Sequence, residues 1–171
     1  MVVAGIDLST HAVDVVLLDL DSDRATWHRF ELHGQDSFDR ARAVRAAMPG
    51  ASFWDDCLAI GIEQPRGRYG TQHIARVQGA VLACLPSSLL VQPWNPAAWR
   101  KAVGLRGDAS KDAVAVLSRV MRWKADPHFQ EAPPNDPADY AAYVPPWPQD
   151  ACDAYCVALA TRQALQQEEA A

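Results

Sequence analysis

An α/β domain built on a mixed sheet is the fold class this sequence predicts, on three observations. Three strand-like runs joined by short turns fill the chain as far as Leu32. An apolar run from Cys57 to Glu63 reads as a strand buried on both faces. Beyond it, segments of helical period alternate with extended ones. A length of 171 residues, 49% of them apolar, suits one domain with a real core, so residues 1–171 are expected to fold as a single unit.

Taken in order, Val2 to Leu8 and Ala12 to Leu20 are apolar runs, and Thr26 to Leu32 alternates polar with apolar side chains. Together they predict a three-stranded meander. Ser37 to about Met48 predicts a helix stopped by Pro49-Gly50. The run C-L-A-I-G-I-E at Cys57 to Glu63 predicts a central strand with helices packed on either side. Between Thr71 and Leu85, Ile74, Val77, Val81 and Leu85 recur at near-helical spacing, and Pro86 stops that helix. Ser88 to Gln92 predicts a further short strand. Asn95 caps a short helix with Pro96 at its first position, where the missing N–H has no helical partner to lose, and Gly104 ends it. A helix capped by Asp108 or Ser110 is expected to run to about Lys124, with Ala113, Val116, Leu117 and Val120 on its inner face. Residues 125–149 carry seven of the twelve prolines and no helical period, which predicts a long loop, with Phe129, Tyr140, Tyr143 and Trp147 to pack it down. A last helix covers about Asp150 to Glu169.

Charge and cysteine usage narrow the function. The net charge of -5 speaks against a polyanion partner until its distribution is read. From Gln64 to Lys124 ten basic residues face two acidic ones, a net +8 that leaves -13 on the remainder. The basic third is a candidate polyanion surface; a solvated helix face is the alternative. No run reaches the ~18–20 apolar residues of a membrane span, and the N-terminus lacks a signal peptide's basic and apolar regions, so a cytoplasmic protein is expected. Cys57, Cys84, Cys152 and Cys156 form no C-x-x-C pair, and buried thiols are expected rather than zinc or disulfides.

Four carboxylates stand where packing does not explain them. Asp7 sits inside an apolar strand, where an unpaired charge is costly, and Glu63 ends the buried run. Asp150 and Asp153 are three apart on one helix, so they share a face, and that face continues into Val157. Four carboxylates brought together would repel one another without a multivalent cation, and all-oxygen donors suit Mg²⁺ or Mn²⁺. Taken singly, Asp7 could cap a turn with Ser9 or Thr10, Glu63 could pair with Arg66 or Arg68, and the last two could simply favour a helix N-terminus.

The stretches G-I-D-L-S-T (Gly5 to Thr10), I-E-Q (Ile62 to Gln64) and D-A-C-D-A (Asp150 to Ala154) resemble, in order and spacing, the RuvC-like Holliday junction resolvases of the RNase H-like superfamily. A-R-V-Q-G-A-V at Ala75 to Val81 and V-G-L-R-G-D-A-S-K-D-A-V at Val103 to Val114 extend the resemblance, which spans Val2 to about Ala164. It implies a five-stranded sheet in the order 3-2-1-4-5, with Asp7 on the central strand and Glu63 on its neighbour. It further implies that Asp7, Glu63, Asp150 and Asp153 hold two Mg²⁺ ions, with Mn²⁺ as substitute. One would help generate a hydroxide and the other would stabilise the leaving 3′ oxygen of a cleaved phosphodiester. Lys111 matches the basic residue near the scissile phosphate. The implied partner is a four-way DNA junction, cut by a homodimer that pairs through the Thr71 to Leu85 helix.

The chain departs from the resolvase pattern after I-E-Q. An aromatic wedge is often found there, whereas this chain reads Pro65-Arg66-Gly67-Arg68-Tyr69-Gly70. Tyr69 could stack on a base, and the glycines and arginines favour phosphate contact. With Arg66 and Arg68, the residues Arg100, Lys101, Arg106 and Lys111 make up the expected DNA surface. The Pro-rich segment is longer than the resemblance leads one to expect, and the compact frame looks more like a bacteriophage version. Three rivals stand beside this reading. A nuclease of the same fold acting on flaps, RNA–DNA hybrids or other DNA would use the same metal site, and a non-catalytic junction-binding protein would have no need of the quartet. A sugar-kinase or actin-like phosphate loop would need a second domain and a second glycine-rich loop.

Overall fold

The computed structural model describes residues 1–65, 71–126 and 146–170. Five strands form one mixed sheet: β1 (Val2–Leu8), β2 (Ala12–Asp19), β3 (Ala25–Glu31), β4 (Cys57–Glu63) and β5 (Leu90–Trp94), in the order β3-β2-β1-β4-β5. The first three form the antiparallel meander that their short turns dictate, and β4 and β5 add in parallel on the other side of β1. Helices α1 (Ser37–Ala47) and α2 (Thr71–Cys84) pack together over one face of the sheet. On the other lie α3 (Pro96–Ala102), α4 (Lys111–Ala125) and α5 (Gln149–Glu169). Both faces of β1 and β4 are therefore covered, which is why these strands read as unbroken apolar runs.

Local chemistry sets the helix ends. Asp36 accepts from the amides of Phe38 and Asp39 to start α1, Asn95 accepts from Ala97 ahead of Pro96 in α3, and Ser110, not Asp108, accepts from Ala113 to start α4. Two expectations shift. β5 begins two residues later than predicted, because Pro86 to Leu89 is used up in a turn closed by the Leu89 amide on the Pro86 carbonyl. Pro93 then falls on an edge strand, where its missing N–H costs no ladder bond. The inner face of α4 is rotated from the predicted one: Val114, Leu117, Ser118 and Met121 turn inward while Val116 is exposed, since α4 packs against α5.

The approach of α5 to the sheet decides where its first turn lies. A Cβ on Gly5 would stand 2.0 Å from the Ala154 carbonyl oxygen, so only glycine lets this helix settle onto β1. Ala151, Ala154 and Ala158 supply the matching small side chains, all buried. Trp94 Nε1 donates to Thr161 Oγ1 at 2.9 Å and ties the same helix to β5. Three cysteines, Cys57, Cys152 and Cys156, are buried free thiols, and Cys84 is half-buried and also free. Among the described residues no helix is long and apolar enough to cross a membrane.

Candidate active site

Parallel register puts Ile6 opposite Ile62, so Asp7 and Glu63 are the next residues at the C-terminal ends of adjacent strands. Gly5 and Gly61 face α5, and strand alternation turns Asp7 and Glu63 to that same side. The first turn of α5 lies over this end and contributes Asp150 and Asp153. Asp153 is buried at 8% exposure, and Asp7, Glu63 and Asp150 are half-buried.

The electrostatics follow from that crowding. Burial first, and then the charges of Glu63, Asp153 and Asp150, push the Asp7 carboxyl well above the ordinary carboxylate range. Burial also raises Glu63 and Asp153, opposed in Glu63 by a hydrogen bond from Trp99 and in Asp153 by one from Gln149. Arg100 and Lys111 favour the ionised form of both.

Three of the carboxylates are tethered by a hydrogen bond to one oxygen. Asp7 Oδ1 accepts from the Leu8 amide at 2.9 Å, Glu63 Oε2 from Trp99 Nε1 at 2.6 Å, and Asp153 Oδ1 from Gln149 Nε2 at 2.9 Å. Asp150 Oδ2 lies 3.8 Å from an Arg29 nitrogen. Asp7 thus serves no turn with Ser9 or Thr10; Ser9 closes that turn itself through Ala12. Among the described residues no three acidic, His or Cys side chains converge into a preformed metal cage. The donor set still fits a hard divalent cation: oxygen-only ligands, three of them held above their ordinary range chiefly by burial, each with its second oxygen uncommitted among the described hydrogen bonds. A cleft of about 470 Å³ opens beside them, with Asp7 and Glu63 on its floor and Pro65, Arg100 and Gly107 on its walls.

Two solved structures of Thermus thermophilus RuvC superpose on this frame over nearly its whole length. One, in complex with Holliday junction substrate, has a TM-score of 0.67 at 18% identity, covering 98% of this chain and 96% of that one. The other has a TM-score of 0.63 at 20% identity, covering 98% and 97%. The chain has the RuvC fold. No family model matches its sequence, and the search of curated proteins found no match.

On this RuvC-like frame the predicted site residues separate into three groups. Asp7, Glu63, Asp150 and Asp153 come together, with Lys111 exposed at the start of α4 and Arg100 beside them. Lys101 and Arg106 are exposed and flank Gly107, at the rim of the cleft, and Arg106 pairs with Asp108 at 3.1 Å. Arg66, Arg68 and Tyr69 lie outside the described residues, as do Phe129, Tyr140 and Tyr143. Trp147 does pack, against Trp27 and Tyr155 with the Arg122 guanidinium 4.0 Å over its ring.

The structure also adds residues that sequence reasoning missed. Trp99 is fully buried and fixes Glu63; its place in the helix that follows the polar Asn95 cap was the available hint. Gln149 fixes Asp153 from four residues upstream, one helical turn away. Asp14, directly opposite Asp7 on β2, is buried and binds Arg29 and Trp27.

Proposed function

We propose that this protein is a metal-dependent endonuclease that cuts branched DNA, with the four-way junction as its substrate class. The observation that carries this reading is the meeting of four separately predicted carboxylates at one end of a RuvC-like sheet, beside a cleft with Arg100 on its wall. Asp7, Glu63, Asp150 and Asp153 would hold two divalent ions, Mg²⁺ or Mn²⁺. Bound there, such ions lower the pKa of an attacking water and stabilise the leaving oxygen of a phosphodiester. The chain itself supplies placement. Trp99 and Gln149 fix Glu63 and Asp153, and the buried setting of Asp7 keeps bulk water from screening the charges. Lys111 and Arg100 offer positive charge to the phosphate being cut, and Arg66, Arg68, Tyr69, Lys101 and Arg106 extend the DNA surface.

Two symmetric cuts need two sites, and one chain offers one, so a homodimer completes the reading. The dimer is expected through the Thr71 to Leu85 helix, whose apolar stripe could equally be core, and the stripe is core: Val77 and Val81 are fully buried and Ile74 packs against their cluster. The face of α2 left for a partner carries Ala75, Gly79 and Leu82, all exposed.

The test is cleavage of a labelled four-way junction with Mg²⁺ or Mn²⁺, alongside linear duplex, flap and RNA–DNA hybrid, with product ends mapped. Paired, symmetric nicks near the branch point support the reading. Preferential cutting of flaps or hybrids moves the protein to the rival nuclease class, and metal-independent binding without cuts leaves a junction-binding protein.

A further inference from the structure

Beside the quartet stands a fifth carboxylate with a cation of its own. Asp14 is 1% exposed and sits opposite Asp7 in the β1–β2 ladder. Trp27 Nε1 donates to its Oδ1 at 2.8 Å, and one terminal nitrogen of Arg29 reaches its two oxygens at 3.0 and 3.3 Å. The ladder fixes this arrangement, because Asp14 and Arg29 are direct cross-strand partners on β2 and β3. That same nitrogen lies 3.8 Å from Asp150 Oδ2, so a single guanidinium stands between a buried carboxylate and a member of the quartet. Trp27 is in turn packed against Trp147, three residues ahead of Asp150.

We propose that Arg29 is a fixed counter-cation at the Asp150 edge of the site, and that Asp14, by competing for it, sets how much of its charge Asp150 feels. The pair thereby tunes how tightly divalent metal is held. This inference rests on the reading of the four carboxylates as a metal site. The geometry makes the two partners act with opposite sign. A positive charge beside Asp150 repels an incoming divalent ion, so removing it tightens binding; removing Asp14 frees the guanidinium to settle on Asp150, which weakens binding.

Mn²⁺ is titrated calorimetrically into the full chain, without DNA and at fixed pH and ionic strength. The proteins compared are wild type, Arg29→Gln, Asp14→Asn and the double variant. Arg29→Gln should tighten binding on the order of tenfold, the effect of one partly screened unit charge a few ångströms away. Asp14→Asn should weaken it several-fold, and the double variant, which removes a neutral pair, should return close to wild type. A merely structural role would weaken binding in both single variants. Shifts of the same sign, or none, overturn the inference while leaving the metal site standing. A wild-type chain that takes up no Mn²⁺ at millimolar concentration overturns the metal site itself. Should Arg29→Gln fail to fold, Arg29→Lys, which keeps the charge, must stay close to wild type while Asp14→Asn weakens binding, or the inference falls.

Discussion

A methyl group added at Gly5 tests whether the seating of α5 on β1 sets the geometry of the carboxylates. In Gly5→Ala the new Cβ would stand 2.0 Å from the Ala154 carbonyl oxygen and 2.4 Å from the Ala158 nitrogen, where real Cβ contacts do not fall below 3.0 Å. Both neighbours are helix backbone, which cannot swing aside, so α5 must lift by about 1 Å. Overpacking of this kind costs about 1–3 kcal/mol, and each kcal/mol lowers Tm by about 2–4 °C in a chain of this size. The lift acts directly between Asp7, two residues beyond Gly5, and the first turn of α5. A misplacement of ~1 Å at a reacting centre costs roughly 10²-fold in rate. Differential scanning fluorimetry gives the Tm, and single-turnover cleavage of a junction, run well below the variant's Tm, gives the rate. Gly50→Ala is the control, since a Cβ there meets nothing within 4 Å. A folded Gly5→Ala protein that cuts at the wild-type rate would refute the idea that this contact places the site.

Asp7→Asn should abolish nicking by several orders of magnitude while junction binding holds or improves; substantial residual nicking sinks the assigned site. Because burial, and then Glu63, hold the Asp7 carboxyl well above its ordinary range, its ionisation opposes folding. That contribution to metal-free stability is complete at low pH and is lost as pH rises from the ordinary carboxylate range toward the raised value. Metal-free wild type should therefore gain Tm between pH 7.5 and 5.5, and Asp7→Asn should start higher and gain less; equal slopes count against it. Trp99→Phe removes a hydrogen bond to an ionisable partner worth about 1.5–3 kcal/mol, so cleavage should fall roughly 10- to 100-fold with binding nearly unchanged. A wild-type rate would show that Trp99 merely packs. Alanine at Arg100, Lys101 and Arg106 together should flatten the slope of log K against log salt by about one unit per lost phosphate contact. An unchanged slope in a folded variant moves the DNA path elsewhere.

Much of the fold is legible because each strand that matters is a short apolar run between clear breakers. Asp7 and Glu63 stand out because each is a charge on such a run, and Asp150 and Asp153 because helical spacing puts them on one face. The resemblance supplies what no local pattern does, namely that these three segments meet. What escaped detection is long-range or rotational. The inner face of α4 turns on its packing against α5, which periodicity alone does not report. Arg29 looks like one polar position on an alternating strand, and only the hairpin register that sets it against Asp14 gives it a partner. Asp14 carries the same mark as Asp7, a charge inside an apolar strand, so the signal was present in V-D-V-V. Its meaning depended on Trp27 and Arg29 being on the neighbouring strand.

The +8 of the basic third overstates the charge available to DNA, and the structure says where the excess goes. Arg76 lies 4.1 Å over the Phe38 ring and donates to Ser37, so it is committed to joining α1 and α2. Arg122 is spent on the Trp147 ring. Arg106 shares its charge with Asp108, but both side chains are exposed at 86% and 73%, and such a pair is weak enough for a phosphate to displace the aspartate. Arg100 lines the cleft, Lys101 and Arg106 flank Gly107 at its rim, and Lys111 acts on Glu63 and Asp153, while Arg119 and Lys124 lie further along α4. A polyanion approaching the cleft meets these cations beside four crowded acids, and that crowding disfavours a phosphate there until divalent charge is present. Metal and DNA should thus bind with positive coupling at this site, each raising the affinity for the other by the same factor, as linkage requires. The acidic remainder of the chain, which carries -13, gives non-specific duplex little else to hold.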